Sequence, residues 1–182
     1  MKIALIGSKG SGKSVVASFL TREYGIPEYA IATPLKQIAQ VIGFTEEELH
    51  KSKTSISPSL GICSREFLQV FGTEFGRSFQ RYFPNSTIQS LWIHLLDRVL
   101  STTDTLCISD VRFPDELKTV RNYPNTIVIK IIRPGVEEDS YSSHESESYI
   151  DSMKPDHILY NDRGVEDLER GVACILRLYK YL

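Results

Sequence analysis

"MKIALIGSKGSGKS", residues 1–14, decides the fold. Lys2 to Ile6 form a short, mostly apolar run that stops at Gly7, as a strand buried on both faces would. Gly7-x4-Gly12-Lys13-Ser14 follows. Behind it, "KSVVASFLTREY" carries helical spacing up to a glycine stop at Gly25. Strand, glycine-rich turn and helix in that order make a phosphate-binding loop. Glycines let the backbone wrap closely, so successive N–H groups face phosphate oxygens. The helix start adds its positive dipole end. In this pattern Gly7, Ser8, Lys9, Gly10, Ser11 and Gly12 line the nucleotide, Lys13 reaches the β- and γ-phosphates, and Ser14 holds Mg²⁺. Kinases, GTPases and nucleotide sensors all use such a loop. What receives the phosphate must be read elsewhere.

Strands and helices alternate through the rest of the chain. "ATPLKQIAQV" starts a helix, with Thr33 as N-cap and Pro34 in the first turn. "TEEELHK" reads as a short helix, and "SKTSISPSLGIC" as a loop. "SREFLQVFGTEFGRSFQRYF" gives one or two helices, interrupted or bent near Gly72. "STIQSLWIHLLDRVLS" gives a further helix with Ile88, Leu91, Leu95 and Val99 on its apolar face. "TLCISD", "TIVIKIIR" and "DHILYND" read as three more strands, "FPDELKTVRNY" and the C-terminal stretch from Gly164 as helices. Four strands alternating with helices predict an α/β fold with a parallel sheet flanked by helices. Functional groups then gather at the carboxyl ends of the strands. Gly7, Asp110, Arg133 and Asn161 all fall at such ends.

The 182 residues suit one domain with a sizeable core. A net charge of -2 gives no global basic field, so nucleic-acid binding is not expected. No apolar run has membrane-spanning length. Cys63, Cys107 and Cys174 are too far apart for a disulfide framework or a CxxC metal site, so all three are expected to be reduced and structural. The expected location is the cytoplasm (that of the host if the source is viral). No Cys/His cluster suggests zinc.

Asp110, closing an apolar strand, sits where a carboxylate would bind Mg²⁺ directly or through water. Asp115 and Glu116 read as first-turn helix charges. Phosphoryl transfer needs cations around a spreading negative charge, and Arg65, Arg77, Arg112 and Arg133 are the candidates. A guanidinium fork suits a monophosphate dianion, which points to Arg65 and Arg77 for the acceptor. Lys36 opposes the dipole of its own helix start, so an anion beside it is expected. Lys13, Asp110, Arg112 and Arg133 are the groups expected at the reacting phosphate. "PGVEEDSYSSHESES" reads as a polar flap. His144 within it reads as a hydrogen-bonded flap residue, with general acid–base work as the alternative.

The motifs "GSKGSGKS", "ATPLK", "SREFLQVFGTEFGR", "ISDVRFPDE", "HESE" and "YNDRGVEDLE" run in order across most of the chain. Together they make it resemble the deoxynucleoside monophosphate kinases of tailed phages and related viruses, within the P-loop nucleoside monophosphate kinase-like group. The resemblance implies a three-layer P-loop NTPase fold in a single domain. An acceptor-binding helical region would lie at about 33–100 and a lid at about 134–150. It implies ATP as donor, Mg²⁺ as cofactor and a deoxynucleoside 5′-monophosphate as acceptor. Lys36, Arg65, Gln69, Thr73 and Arg77 would line the acceptor site, Arg112 and Arg133 would serve phosphates, and Asn161 to Gly164 would lie near adenine. One departure is the eight positions between Pro84 and Trp92. It leaves open whether Asn85 and Trp92 belong to the acceptor site, and the helical pattern around Trp92 favours core. Another is the scarcity of lid arginines beyond Arg133 and Arg163, which leaves room for help from Lys130 or a partner chain. A homodimer is open, since the helix around Trp92 can face core or a second copy.

Two rivals remain. Animal-type phosphomevalonate kinases are similar around the loop and the "DVR" segment, but their acceptor has no base for Gln69 or Thr73 to read. A nucleotide-gated switch would carry an Asn-Lys-x-Asp guanine reader, and only "YNDRG" is present.

Overall fold

The structure, a computed structural model, describes residues 1–135 and 149–180. Most of the lid segment, with His144, lies outside these described residues. The chain forms two compact units: Met1–Ala30 with Val99–Leu182, and Ile31–Arg98.

Among the described residues, the first unit is built on a sheet of five parallel strands: β1 (Lys2–Ile6), β2 (Glu28–Tyr29), β3 (Leu106–Ile108), β4 (Thr126–Ile132) and β5 (His157–Tyr160). Their spatial order is β2-β3-β1-β4-β5. Sequence reading expected four strands. It missed β2 because two residues, Glu28 and Tyr29, carry no periodicity; they pair with Cys107 and Ile108. Ile3, Leu5, Ile127, Ile129 and Ile131 turn one sheet face toward α1 (Lys13–Tyr24) and the last helix (Val165–Leu178), burying Val16, Leu20, Leu168, Val172 and Leu176. Ala4, Ile6 and Val128, of opposite parity, are buried as well. Two-sided burial is why these strands read as continuous apolar runs rather than alternating ones. Each fully buried Ile or Leu contributes about 1.5–3 kcal/mol.

Cys63 and Cys107 are buried, and Cys174 is exposed on the last helix. Cys174 therefore lacks the structural burial expected of it. Its place in an amphipathic helix is on the outer face, which periodicity around a single cysteine did not resolve. Burial, with the Glu28 carboxylate adding to it, pushes the Cys107 thiol far above its ordinary range. In native protein Cys174 should react readily with an aromatic disulfide reagent and Cys107 only after denaturant is added. Equal rates at both would contradict this burial.

The second unit is helical. It holds α2 (Thr33–Val41), α3 (Glu46–His50), α4 (Ser64–Gln69), a π-helix (Val70–Arg77) and α5 (Phe79–Tyr82). Helix α6 (Leu91–Thr102) begins in this unit. Thr33 is the first helical residue of α2, and Ala32 occupies the cap without a side-chain bond. Thr45 caps α3 in a capping box with Glu48. Ala39, Phe44 and Leu49 form the unit's buried cluster, against Leu60, Phe67 and Leu68. From Phe67 an aromatic ladder continues through Phe71, Phe75 and Phe79 at centroid spacings of 5.4, 5.0 and 5.7 Å. The bend expected near Gly72 is the π-helix. In α6 the buried stripe is Trp92, Leu96 and Leu100, one position round from the face expected from Leu91, Leu95 and Val99. Both stripes are apolar at helical spacing.

Candidate active site

Gly7 through Ser14 connect β1 to α1 in the manner the sequence implies. Gly7 has φ 149 and Gly12 φ 114, values that favour glycine. Neither position has room for a side chain. A Cβ on Gly7 would lie 2.4 Å from the Ile131 carbonyl oxygen, and one on Gly12 2.7 Å from Asn161 Nδ2. The Lys13 ammonium folds back over the loop, donating to the carbonyls of Gly7 at 2.5 Å and Ser8 at 2.8 Å. Ser11 Oγ is buried with no hydrogen-bond partner among the described residues. A hydroxyl left so is a donor awaiting an acceptor. Cramped glycines, an orphaned hydroxyl and an ammonium at the loop's mouth all fit a polyphosphate.

The strand register places the neighbours. Ala4 pairs with Ile108, so Asp110, two residues beyond β3, comes level with Ile6 on the adjacent strand. Ile6 pairs with Lys130, which sets Ile131 to Arg133 alongside the first loop residues. Ile132 pairs with Tyr160, and Asn161 N–H donates to the Ile132 carbonyl at 2.8 Å. Adjacent strands are about 4.8 Å apart. Asp110, the loop, Arg133 and Asn161 thus share one sheet edge, as their positions at strand ends implied.

Asn161 Nδ2 donates to the Ser11 carbonyl at 2.9 Å. Its amide therefore braces the loop from below. Arg112 is half-buried. Its backbone N–H and that of Phe113 both donate to Glu116 Oε2, at 2.8 and 3.1 Å. Glu116, 2% exposed, is a first-turn charge that also fixes the backbone carrying Arg112. Arg133 is exposed and borders a cavity of about 130 Å³ with Ser8, Lys9, Ser11, Lys130 and Asp151. Lys130 Nζ is held there by Asp151 Oδ1 at 2.9 Å. Lys9 and Ser14 are exposed.

Sequence reading missed Tyr29 and Asp151. Tyr29 ends the strand it overlooked. Burial, and after it the Asp110 carboxylate, raise its phenol above the ordinary value, so it is a neutral donor at pH 7. Asp151 follows the polar flap and carried no motif.

The described residues contain no group of three or more His, Cys, Asp or Glu side chains that could hold a metal. Mg²⁺ needs none, since it keeps several waters and binds through one or two protein groups plus substrate phosphates. Ser14 and Asp110 fit that limited role.

The remaining candidates lie in the second unit. Lys36 is half-buried in the first turn of α2. Arg65 and Gln69, both exposed, stand near the two ends of α4, and half-buried Thr73 and Arg77 lie in the π-helix. Their spacing of four residues is constant. In an α-helix a step of four overshoots one turn by about 40°. The wider turn of a π-helix, roughly four to five residues, removes or reverses that drift. The switch from α to π at Val70 thereby keeps Arg77 near the stripe begun by Arg65 and Gln69. Asn85, exposed, follows α5. No helix in the described residues is long and apolar enough to cross a membrane.

Known proteins agree with this architecture. Shikimate kinase from Aquifex aeolicus vf5 superposes with a TM-score of 0.55 at 19% identity, covering 100% of this chain and 99% of that one. Dephospho-CoA kinase from Campylobacter jejuni does so with a TM-score of 0.50 at 16% identity, covering 97% and 96%. Both show the fold alone. A protein of Acanthamoeba polyphaga mimivirus, provisionally assigned as a deoxynucleotide monophosphate kinase, is 28% identical over 186 residues, 95% of each chain. The sequence profile of the deoxynucleotide monophosphate kinase family matches residues 39–172. With a nucleotide-binding P-loop kinase fold beneath that match, the chain belongs to the deoxynucleotide monophosphate kinase family.

Proposed function

We propose that this kinase transfers the γ-phosphoryl group of ATP to the phosphate of a deoxynucleoside 5′-monophosphate, yielding ADP and the deoxynucleoside diphosphate. The observation that supports transfer is the shared sheet edge, where the loop, Asp110 and Arg133 meet. Family membership points to the acceptor class. In this reading the loop amides, Ser11 and Lys13 hold the donor phosphates. Arg65 and Arg77 hold the acceptor phosphate, with Lys36 beside them, while Gln69 and Thr73 contact sugar or base. A phosphate oxygen of the acceptor attacks the γ-phosphorus in line, and the bond to the β,γ-bridging oxygen breaks. The attacking oxygen is already anionic, so no base is required. Arg112 and Arg133 oppose the charge that spreads over the transferred group. Ser14 and Asp110 would hold Mg²⁺, which would supply further charge neutralisation to the donor phosphates.

The test is a panel of common NMPs and dNMPs, plus phosphomevalonate, with ATP and Mg²⁺ in a coupled ADP assay. At least one dNMP should raise ADP release far above the rate with ATP alone. If phosphomevalonate alone does so, or no acceptor does, the reading fails.

Asn161→Ala removes the donor that braces Ser11. One lost hydrogen bond shifts affinity roughly three- to tenfold. The KM for ATP should rise by that factor while the acceptor KM stays within twofold. A change confined to the acceptor KM would contradict a loop-bracing role.

A further inference from the structure

We propose that Trp92 is a positioning residue for the acceptor site, locking the π-helix that carries Thr73 and Arg77; this rests on the acceptor reading above. Trp92 stands in the first turn of α6 and is 4% exposed. Its indole Nε1–H donates to the Gly72 carbonyl at 2.6 Å, across 20 residues of chain. Its ring lies flat against the next turn of the same helix. A Cβ on Gly76 would come within 2.3 Å of Trp92 Cε2 and Nε1. A Cβ on Gly72 would meet Leu35 Cδ2 at 2.8 Å. Both glycines are buried. The π-helix is therefore gripped on the face of Gly72 and Gly76, while Thr73 and Arg77 are each one position further on.

The start of α6 that carries Trp92 is itself fixed. Ser90 caps it, its carbonyl accepting from His94 N–H at 3.1 Å and its hydroxyl from Ile93 N–H at 3.5 Å. Gln80 ties the preceding loop through the carbonyls of Ser86 at 3.1 Å and Gln89 at 3.3 Å.

A grip of this kind matters because π geometry is rare and is retained where function uses it. Without an outside bond, a segment reverts toward α spacing. Arg77 would then turn by several tens of degrees relative to Thr73, given the difference in residues per turn. A guanidinium fork so displaced loses its two-point hold on a phosphate. Trp92 touches no reacting atom in this account. It acts by fixing the helix register.

The test compares Trp92→Phe, which keeps a ring and loses the N–H, with Leu96→Ala, a buried substitution one turn along the same helix. Both are assayed with the dNMP that the panel shows is turned over fastest. Trp92→Phe should raise the acceptor KM roughly three- to tenfold, the effect of one hydrogen bond, and leave the ATP KM within twofold. Leu96→Ala should lower the melting temperature and leave the ratio of the two KM values unchanged. The proposal is overturned if Trp92→Phe leaves the acceptor KM unchanged, or if Leu96→Ala raises it equally. Should Trp92→Phe not fold, biosynthetic replacement of the one tryptophan by its benzothienyl isostere removes only the N–H. An acceptor KM unchanged by that replacement rejects the lock. If no dNMP is turned over at all, the acceptor reading fails instead, a different outcome from a turned-over dNMP with an unchanged KM.

Discussion

Lys13→Ala is expected to lower phosphoryl transfer about a thousandfold, the upper range for losing one preorganised charge partner of a reacting group. The fold should survive. The Lys13 ammonium donates to two loop carbonyls, Gly7 and Ser8. Losing these bonds costs about 1–2 kcal/mol at most, since each nets about 1 kcal/mol. That is a shift of a few degrees in melting temperature for a chain of this size. Transfer has no comparable substitute, because the same ammonium lies at the loop's mouth beside amides that carry only partial charge. Lys51→Ala is the control. Lys51 is exposed and belongs to no proposed contact, and its removal should change turnover less than about threefold, as surface charges contribute little in water. Coupled ADP assays and thermal melts on both variants decide it. If Lys13→Ala keeps more than a tenth of wild-type turnover, the loop does not stabilise the transferred phosphate as proposed.

The donor half was legible in the sequence because it is local. Gly7 to Ser14 are contiguous, and the φ values at Gly7 and Gly12 are what the glycine spacing demands. The sheet edge was nearly as legible: Asp110, Arg133 and Asn161 each follow an apolar run, and parallel pairing brings such ends together. What escaped was non-local. β2 is two residues long and exists only because Cys107 and Ile108 offer it a partner, so Tyr29 could not be placed beside Asp110. The brace from Asn161 to the Ser11 carbonyl spans 150 positions. The choice of Trp92, Leu96 and Leu100 over the neighbouring stripe depends on what each face meets. The π-helix was visible only as a disturbance near Gly72. Glycine spacing announces that backbones approach, but not that the indole of Trp92, across a loop, fills the gap at Gly76.

Arg77→Ala should fall almost as hard as Lys13→Ala, on a different parameter. Arg77 closes the π-helix and is half-buried. A fork on a phosphate dianion makes two charge-assisted hydrogen bonds, each netting about 1.5–3 kcal/mol. Their joint loss predicts kcat/KM for the acceptor reduced by about two to four orders of magnitude. The ATP KM should stay within twofold. Arg77→Lys separates charge from shape. A single ammonium keeps the attraction and loses the two-point hold, so it should recover about tenfold over alanine and no more. Arg81→Ala, an exposed arginine on α5 one turn further along, should change little. Three results would each redirect the assignment. Full activity in Arg77→Ala removes the residue from the site. Full activity in Arg77→Lys means a point charge suffices and the π register is not needed for phosphate. A rise in ATP KM with an unchanged acceptor KM moves Arg77 to the donor. The expected pattern, an acceptor defect that lysine mends only in part, requires that the helix hold the guanidinium at a fixed angle. That requirement links Arg77 to the glycines and the tryptophan behind it. Trp92→Phe combined with Arg77→Ala should then be scarcely worse than Arg77→Ala alone, because a lock has no effect once the residue it orients is gone.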